Sequence, residues 1–290
     1  MSASMSVPTA LGSLLLGGLF ASLLSGVVAT DVVAYFRVYK ADAPGLKALI
    51  LAIGALDLFH TGLIWTAMWE YAIANWGLTS RIDYIPWSIA LTVLITAIVT
   101  FLVHCFFAQR IFRLSKRNWY MAASVVFFAL VRLAAASVST AEMLRYKSFP
   151  VYMVHSRWIL TFGLSMSSCV DILITALLLY LFKGSRRPKG SHLNQVLDQM
   201  SLYAFETGSL TCLGTIATMI CWITMHHNLV FLGLHFAIGK LYAISLLVTL
   251  NTREGIRRSR ATMLAERGGV LVLPAEIPSD KNSSSGHGTY

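Results

Sequence analysis

Long apolar runs alternate with short polar connections along most of this chain. Seven such runs, at about 11–34, 47–70, 87–109, 121–143, 158–182, 203–224 and 229–250, are each near the roughly 20 residues that cross a bilayer as a helix. The seven prolines, Pro8, Pro44, Pro86, Pro150, Pro188, Pro274 and Pro278, all fall outside these runs. Proline removes a backbone donor and clashes with the preceding turn, so its absence predicts seven uninterrupted, nearly unkinked helices. The first run lacks a basic leader and is too long for a signal-peptide core, so it reads as a retained helix.

The predicted fold is therefore all-α: a polytopic membrane protein built as a bundle of seven transmembrane helices. Residues 1–10 form a short extracellular N-terminus. Residues 11–250 form the helical domain. Residues 251–290 form a cytoplasmic tail, basic at first and then reading as disordered. Composition agrees. Only 12% of the 290 residues are charged and mean hydropathy is +0.67, against about 25% charged in ordinary soluble domains. That rules out a cytosolic globular enzyme.

The net charge of +10 is distributed by topology. Arg37, Lys40, Lys47, Arg110, Arg113, Lys116, Arg117, Lys183, Arg186, Arg187 and Lys189 fall in alternate connections, and six more Lys or Arg in the tail. The other connections hold only Arg81, Arg145, Lys147 and Arg157. Retention of positive charge on the cytoplasmic side predicts an outside N-terminus and a cytoplasmic C-terminus. The same charge argues against nucleic acid as a partner. Trp69, Trp76, Trp87, Trp158 and Trp222 are predicted at the outer interface and Trp119 at the inner one. The four cysteines, Cys105, Cys169, Cys212 and Cys221, lie in spans and read as small buried apolar residues, leaving no loop disulfide.

Four ionisable residues remain near the middle of spans: Asp57, Arg132, Asp171 and Lys240. Each costs roughly 2.5–3.5 kcal/mol to insert, so inward faces and mutual pairing in one neutral layer are expected. Small residues flank them: Gly233, Ala237 and Ala243 near Lys240, and Ala129, Ala136 and Ser139 near Arg132. Asp57 shares a helix face with His60 and Thr61. The third span carries Ser88, Thr92, Thr96, Thr100 and His104 at spacing four. The sixth carries Thr207, Thr211, Thr215 and Thr218. Such stripes make interhelical or back-bonded hydrogen bonds, or line a polar cavity. Ser13, Gly17, Ala21 and Ser25 form a small-residue packing seam in the first span.

Five segments, ALDLFHTGLIW, FFAQRIFRLSK, CVDILITALLLYL, LYAFETGSLTCLGTIATMI and GKLYAISLLVTLNTRE, occur in this order. Together they resemble a fungal, chiefly basidiomycete, family of seven-helix membrane proteins known only as a domain of unknown function. The resemblance covers about residues 10–255, and the run from Lys240 to Arg253 is its most specific part. It implies a multi-pass membrane protein with no assigned activity. The motif positions it carries over are Asp57, His60, Arg110, Asp171, Lys240, Tyr242, Ser245, Asn251 and Arg253, with roles unknown. Arg132 lies outside the pattern.

Receptor-like or sensory action by the midplane layer (Asp57, His60, Arg132, Asp171, Lys240) is the leading expectation. The layer would take a small-molecule ligand or an ion. The receptor analogy is one of architecture, because N-P-x-x-Y, D-R-Y and a proline after Cys221-Trp222 are missing. Transport of a proton or small solute through the same residues is the alternative. Retinal on Lys240 is disfavoured because the third span has no carboxylate counter-ion. No hydrolase or metalloprotease motif is present, so no catalytic residue, cofactor or metal is expected. His226-His227 reads as a solvated loop. The basic 252–267 stretch is expected to meet anionic lipid or a protein partner. Which membrane holds the chain is left open.

Overall fold

The computed structural model describes residues 7–76, 78, 83–184, 192–225 and 228–268. Among them are eight α-helices: α1 (Val7–Val38), α2 (Pro44–Trp69), α3 (Trp87–Leu114), α4 (Trp119–Tyr146), α5 (Phe149–His155), α6 (Arg157–Gly184), α7 (His192–Thr224) and α8 (Val230–Gly268). Six stretches are long and apolar enough to cross a membrane: Leu11–Val38, Pro44–Ala74, Trp87–Leu114, Trp119–Tyr146, Arg157–Gly184 and Val230–Arg253. A run of 28 residues is ~42 Å long at 1.5 Å per residue, which exceeds the hydrocarbon thickness. The predicted spans therefore captured the apolar centres and missed a turn or more at the ends. Within α7 the stretch Gly208–Thr224 is apolar and shorter than the six others.

Two elements depart from the sequence expectation. Five residues, Glu70–Ala74, continue α2 as a π-helical turn. No proline causes this; the turn carries Tyr71 inward, where its hydroxyl donates to the Tyr84 carbonyl at 2.6 Å. The connection after α4 folds into the short helix α5, started by Pro150 in its first turn and anchored by buried Phe149 and Tyr152. Among the described residues, the other prolines stand where a helix begins, as at Pro44, the first residue of α2, and Pro86, the N-cap of α3.

The chain divides into two units, 1–253 and 254–290. In the first, short connections make successive helices antiparallel neighbours. Arg37, Lys47, Arg110, Arg113 and Lys183 lie at one end of these helices, here the basic end. Trp69, Trp87 and Trp158 lie at the opposite end, 61%, 53% and 69% exposed. In the second unit the described residues 254–268 are helical; the rest of the tail, His226-His227, and the side chains of Arg186, Arg187, Lys189 and Thr207 lie outside the described set.

The outer surface is apolar: Leu16, Leu23, Leu51 and Leu58 are all more than 60% exposed. The interior holds the polar side chains instead, an arrangement suited to lipid rather than water. Two expectations fail on this surface. Trp222 is fully buried, donating its indole N–H to Thr161 at 3.0 Å and packing on Phe231 at 4.6 Å. A partner for the N–H inside made burial cheaper than an interfacial seat. None of the cysteines is fully buried, and Cys169 is exposed, since a weakly polar thiol tolerates contact with lipid.

α3 and α8 are the most buried long elements. The expected seam on α1 lets α8 approach: a Cβ added at Gly17 would overlap the backbone of Gly233. Gly17→Val should therefore force α1 off α8 and cost about 1–3 kcal/mol, the usual range for overpacking. Gly26→Ala, where an added Cβ meets nothing within 4 Å, should be neutral or slightly stabilising. Thermal unfolding of both variants in detergent checks the pair.

Candidate functional site

Three polar clusters lie inside the bundle. The first joins α1, α2 and α8. Lys240 Nζ lies 2.8 Å from Asp57 Oδ1 and donates to Thr61 Oγ1, also at 2.8 Å. A longer contact, 3.4 Å, reaches the Asp57 carbonyl. Ser25 donates to Asp57 Oδ2, and Thr61 donates back to the Asp57 carbonyl at 2.9 Å. An ammonium has three donors, and three acceptors surround it here. Lys240 is 0% and Asp57 4% exposed. The pair is sealed and locally satisfied.

His60, one turn from Asp57, faces α3 instead. Its Nε2 meets Thr96 Oγ1 at 3.1 Å. The rest of the α3 stripe divides its bonding. Thr92 and Thr100 donate to carbonyls of their own helix, whereas Thr96 and His104 bond across helices.

The second cluster joins α3, α6 and α8. Tyr242 donates its hydroxyl to Asp171 Oδ2 at 2.7 Å, and His104 Nε2 sits 3.3 Å from Asp171 Oδ1. The His104 and Tyr242 rings meet edge to face at 5.4 Å. Beside them is a cavity of about 20 Å³ bordered by His104, Asp171, Thr211, Tyr242 and Ser245. A buried water needs roughly 10–15 Å³ and two or more polar partners. His104 Nδ1, buried without a hydrogen-bond partner, is a polar group that such a water would satisfy. One turn away, Ser168 and Thr215 tie α6 to α7 at 3.0 Å.

The third cluster holds Arg132 of α4. It was expected to pair with an acid, and it does not: among the described residues no ion pair includes it. Its Nε donates to Ser167 of α6. Asp171 sits one turn further along α6, and its two oxygens face Tyr242 and His104 instead. A second cavity of about 20 Å³ separates Arg132 from His235 and Ser139. His235 Nε2 is buried without a partner. The predicted single layer is thus one ion pair and two hydrogen-bonded clusters staggered in depth.

The remaining motif positions lie toward the basic end. Asn251 donates to the Asp31 carbonyl at 3.1 Å, and its own carbonyl accepts from Tyr39 at 2.9 Å. Arg253 Nη2 lies 2.6 Å from Asp42 Oδ2, which also accepts from Tyr35 at 2.8 Å. The Arg253 guanidinium lies over the Tyr39 ring at 4.7 Å. Burial alone would raise the Asp42 carboxyl, but hydrogen bonds from Arg253 and Tyr35 and the charges of Arg253 and Lys47 outweigh it and hold it below its ordinary value. Arg110 stacks over Phe182 at 5.4 Å. Ser245 borders the Asp171 cavity.

Sequence reasoning missed Ser25, Tyr35, Asp42 and His235 as partners, and took His104 only as the end of a stripe. One signal was readable. His235, Tyr242, Ser245 and Thr249 are spaced 7, 3 and 4, which is one face of a helix. Lys240 stands two residues from Tyr242, on another face. α8 therefore carries two polar faces, and the two acids meet different ones. Among the described residues no cluster of His, Cys, Asp and Glu could hold a metal.

Residues 167–255 match the profile of a family described as "Family of unknown function (DUF6534)". The matched stretch contains Asp171, Lys240, Tyr242, Ser245, Asn251 and Arg253. No curated protein matches the chain. No solved structure matches it.

Removing Lys240 alone should orphan Asp57 and cost about 3–5 kcal/mol. Lys240→Leu combined with Asp57→Leu should recover much of that loss, while Lys240→Leu with Asp171→Leu should not. Unfolding midpoints of the three variants decide the pairing. Asp42 supplies a pH dependence. Its folded pKa is depressed, so its contribution is present above the ordinary carboxylate value of 3.8 and is lost as pH falls through the folded value. Asp42→Asn should flatten that acid limb of a stability–pH curve and leave the neutral region parallel to the parent.

Proposed function

We propose that this chain crosses the membrane seven times, with the N-terminus outside and the C-terminus in the cytoplasm, and acts as a receptor-like or sensory protein. α7 supplies the seventh crossing through Gly208–Thr224, a stretch at the lower end of spanning length. Collection of Arg37, Lys47, Arg110, Arg113 and Lys183 at one end supports the orientation. Family similarity adds a domain of unknown function and no activity.

The observation that carries the sensory reading is the sealed Asp57–Lys240 pair. It holds a central helix to α1 and α2 by one contact that changes with the protonation or ligation of either partner. A two-state element of this kind converts a local event into movement of α8. The described cavities beside His104 and Arg132 are water-sized, and a larger one of about 310 Å³ between α6 and α7 borders Asp171. One observation favours transport of a proton or small solute as a second reading: ionisable clusters follow one another through the depth of the bundle around α8.

Proteoliposomes containing a pH-sensitive dye separate the two. Under an imposed proton gradient the protein should be as tight as empty vesicles. A leak removed by Asp57→Asn would replace the sensory reading with transport. For the sensory reading, Asp57→Leu with Lys240→Leu should raise hydrogen exchange selectively in α8 around Lys240 and in the facing part of α2, and leave the basic end, held by Arg253 and Asp42, unchanged. A uniform change across the bundle would reduce the pair to a structural role.

A further inference from the structure

The largest described cavity does not touch the midplane clusters. It occupies about 680 Å³ at the basic end, between the start of α2, the second half of α3 and α8 near Arg253. That volume is within the usual range for a small-molecule site. Its two parts differ in chemistry. The deeper walls are apolar, formed by Leu46, Leu49, Leu102 and Phe106. The rim carries three guanidinium groups, Arg110, Arg113 and Arg253, and no acid is among the described residues that line it. Arg253 is shared with Asp42, but Arg110 and Arg113 enter none of the described ion pairs.

One further feature points to an anionic guest. α2 begins with Pro44 and has no side-chain cap, while the amides of Leu46 and Lys47 donate to the Ala43 carbonyl at 3.0 and 3.3 Å. Gly45, beside it, borders the cavity with open space where a Cβ would stand. An uncapped helix start favours negative charge.

From these we infer that the cavity binds one anionic phospholipid, its phosphate between Arg110, Arg113 and Arg253 and one acyl chain along Leu49, Leu102 and Phe106. Guanidinium suits phosphate because its planar fork matches two oxygens. Lipid is the source because the guanidiniums stand on the last turns of the candidate spans, where headgroups lie, and the apolar wall runs on into the same spans. The inference rests on membrane insertion and is independent of the sensory reading.

Native mass spectrometry of the full chain tests it. The protein is released from mixed micelles holding equal amounts of phosphatidylglycerol and phosphatidylcholine. One retained phosphatidylglycerol is expected, preferred by about tenfold, on the order of one extra charge-assisted contact. Arg110→Gln with Arg113→Gln should abolish the preference. Gly45→Phe, which fills the mouth without changing charge, should abolish it as well and keeps the test sound if the double variant fails to fold. Replacing the tail arginines Arg257, Arg258 and Arg260 by Gln should leave it intact. No preference in the parent protein, or a preference that survives both cavity variants, overturns the proposal. So does retention of inorganic phosphate in the absence of lipid with equal loss of phosphatidylglycerol on its addition, which would assign the site to a soluble anion.

Discussion

The buried contact between Asp57 and Lys240 is the constraint around which the bundle is arranged. Either charge alone would cost roughly 2.5–3.5 kcal/mol to place at that depth. Together, with Ser25 and Thr61 completing their hydrogen bonds, they leave no unsatisfied donor on the ammonium. A lysine stem is long, so the pair does not require the helices to touch. The glycines do: Gly17 against Gly233 brings α1 onto α8, and Gly239 packs near Thr96 of α3. With α8 held this way, its second polar face is turned toward Asp171 and His104. The ion pair and the small-residue contacts therefore specify the rotation of α8, and that rotation places Tyr242.

Arg132 shows the other solution to a charge inside a bundle. It has a hydrogen bond from its Nε to Ser167 and a water-sized cavity beside it, but no ion pair among the described residues. Its burial is sustained by polar neighbours and room for solvent rather than by a countercharge. The two arrangements respond differently. A paired charge is lost abruptly when its partner is removed, whereas a solvated one adjusts by moving water. The rigid link and the adaptable one occupy opposite sides of α8.

Hydropathy alone made the helices legible, because a span needs only length and apolarity, both local properties. Depth was legible for the same reason, so Asp57, Asp171 and Lys240 were recognised as buried from position along their spans. Partner choice was not, because it depends on which helices are neighbours and how each is rotated. Asp171 could not be assigned to Tyr242 and His104 without knowing that α3, α6 and α8 converge. Trp222 misled because an interfacial depth and a buried seat look identical in one dimension; the Thr161 hydroxyl decided between them. The π turn at Glu70–Ala74 had no proline to announce it, and α5 was too short to show a period.

The basic end adds a second attachment that changes how the first must work. Asn251 and Arg253 fasten α8 to Asp31, Tyr39 and Asp42 in α1 and the connection that follows it. Lys240 and Arg253 are thirteen residues apart, ~20 Å along one helix. Two attachments on the same rod, one to α2 and one to α1 and the connection after it, resist rotation far better than one. Breaking the ion pair alone would leave α8 pinned at Arg253, free to pivot there rather than slide. Breaking the Arg253 contact alone would leave it pinned at its centre. Any switching motion consistent with this geometry is then a tilt about whichever attachment survives.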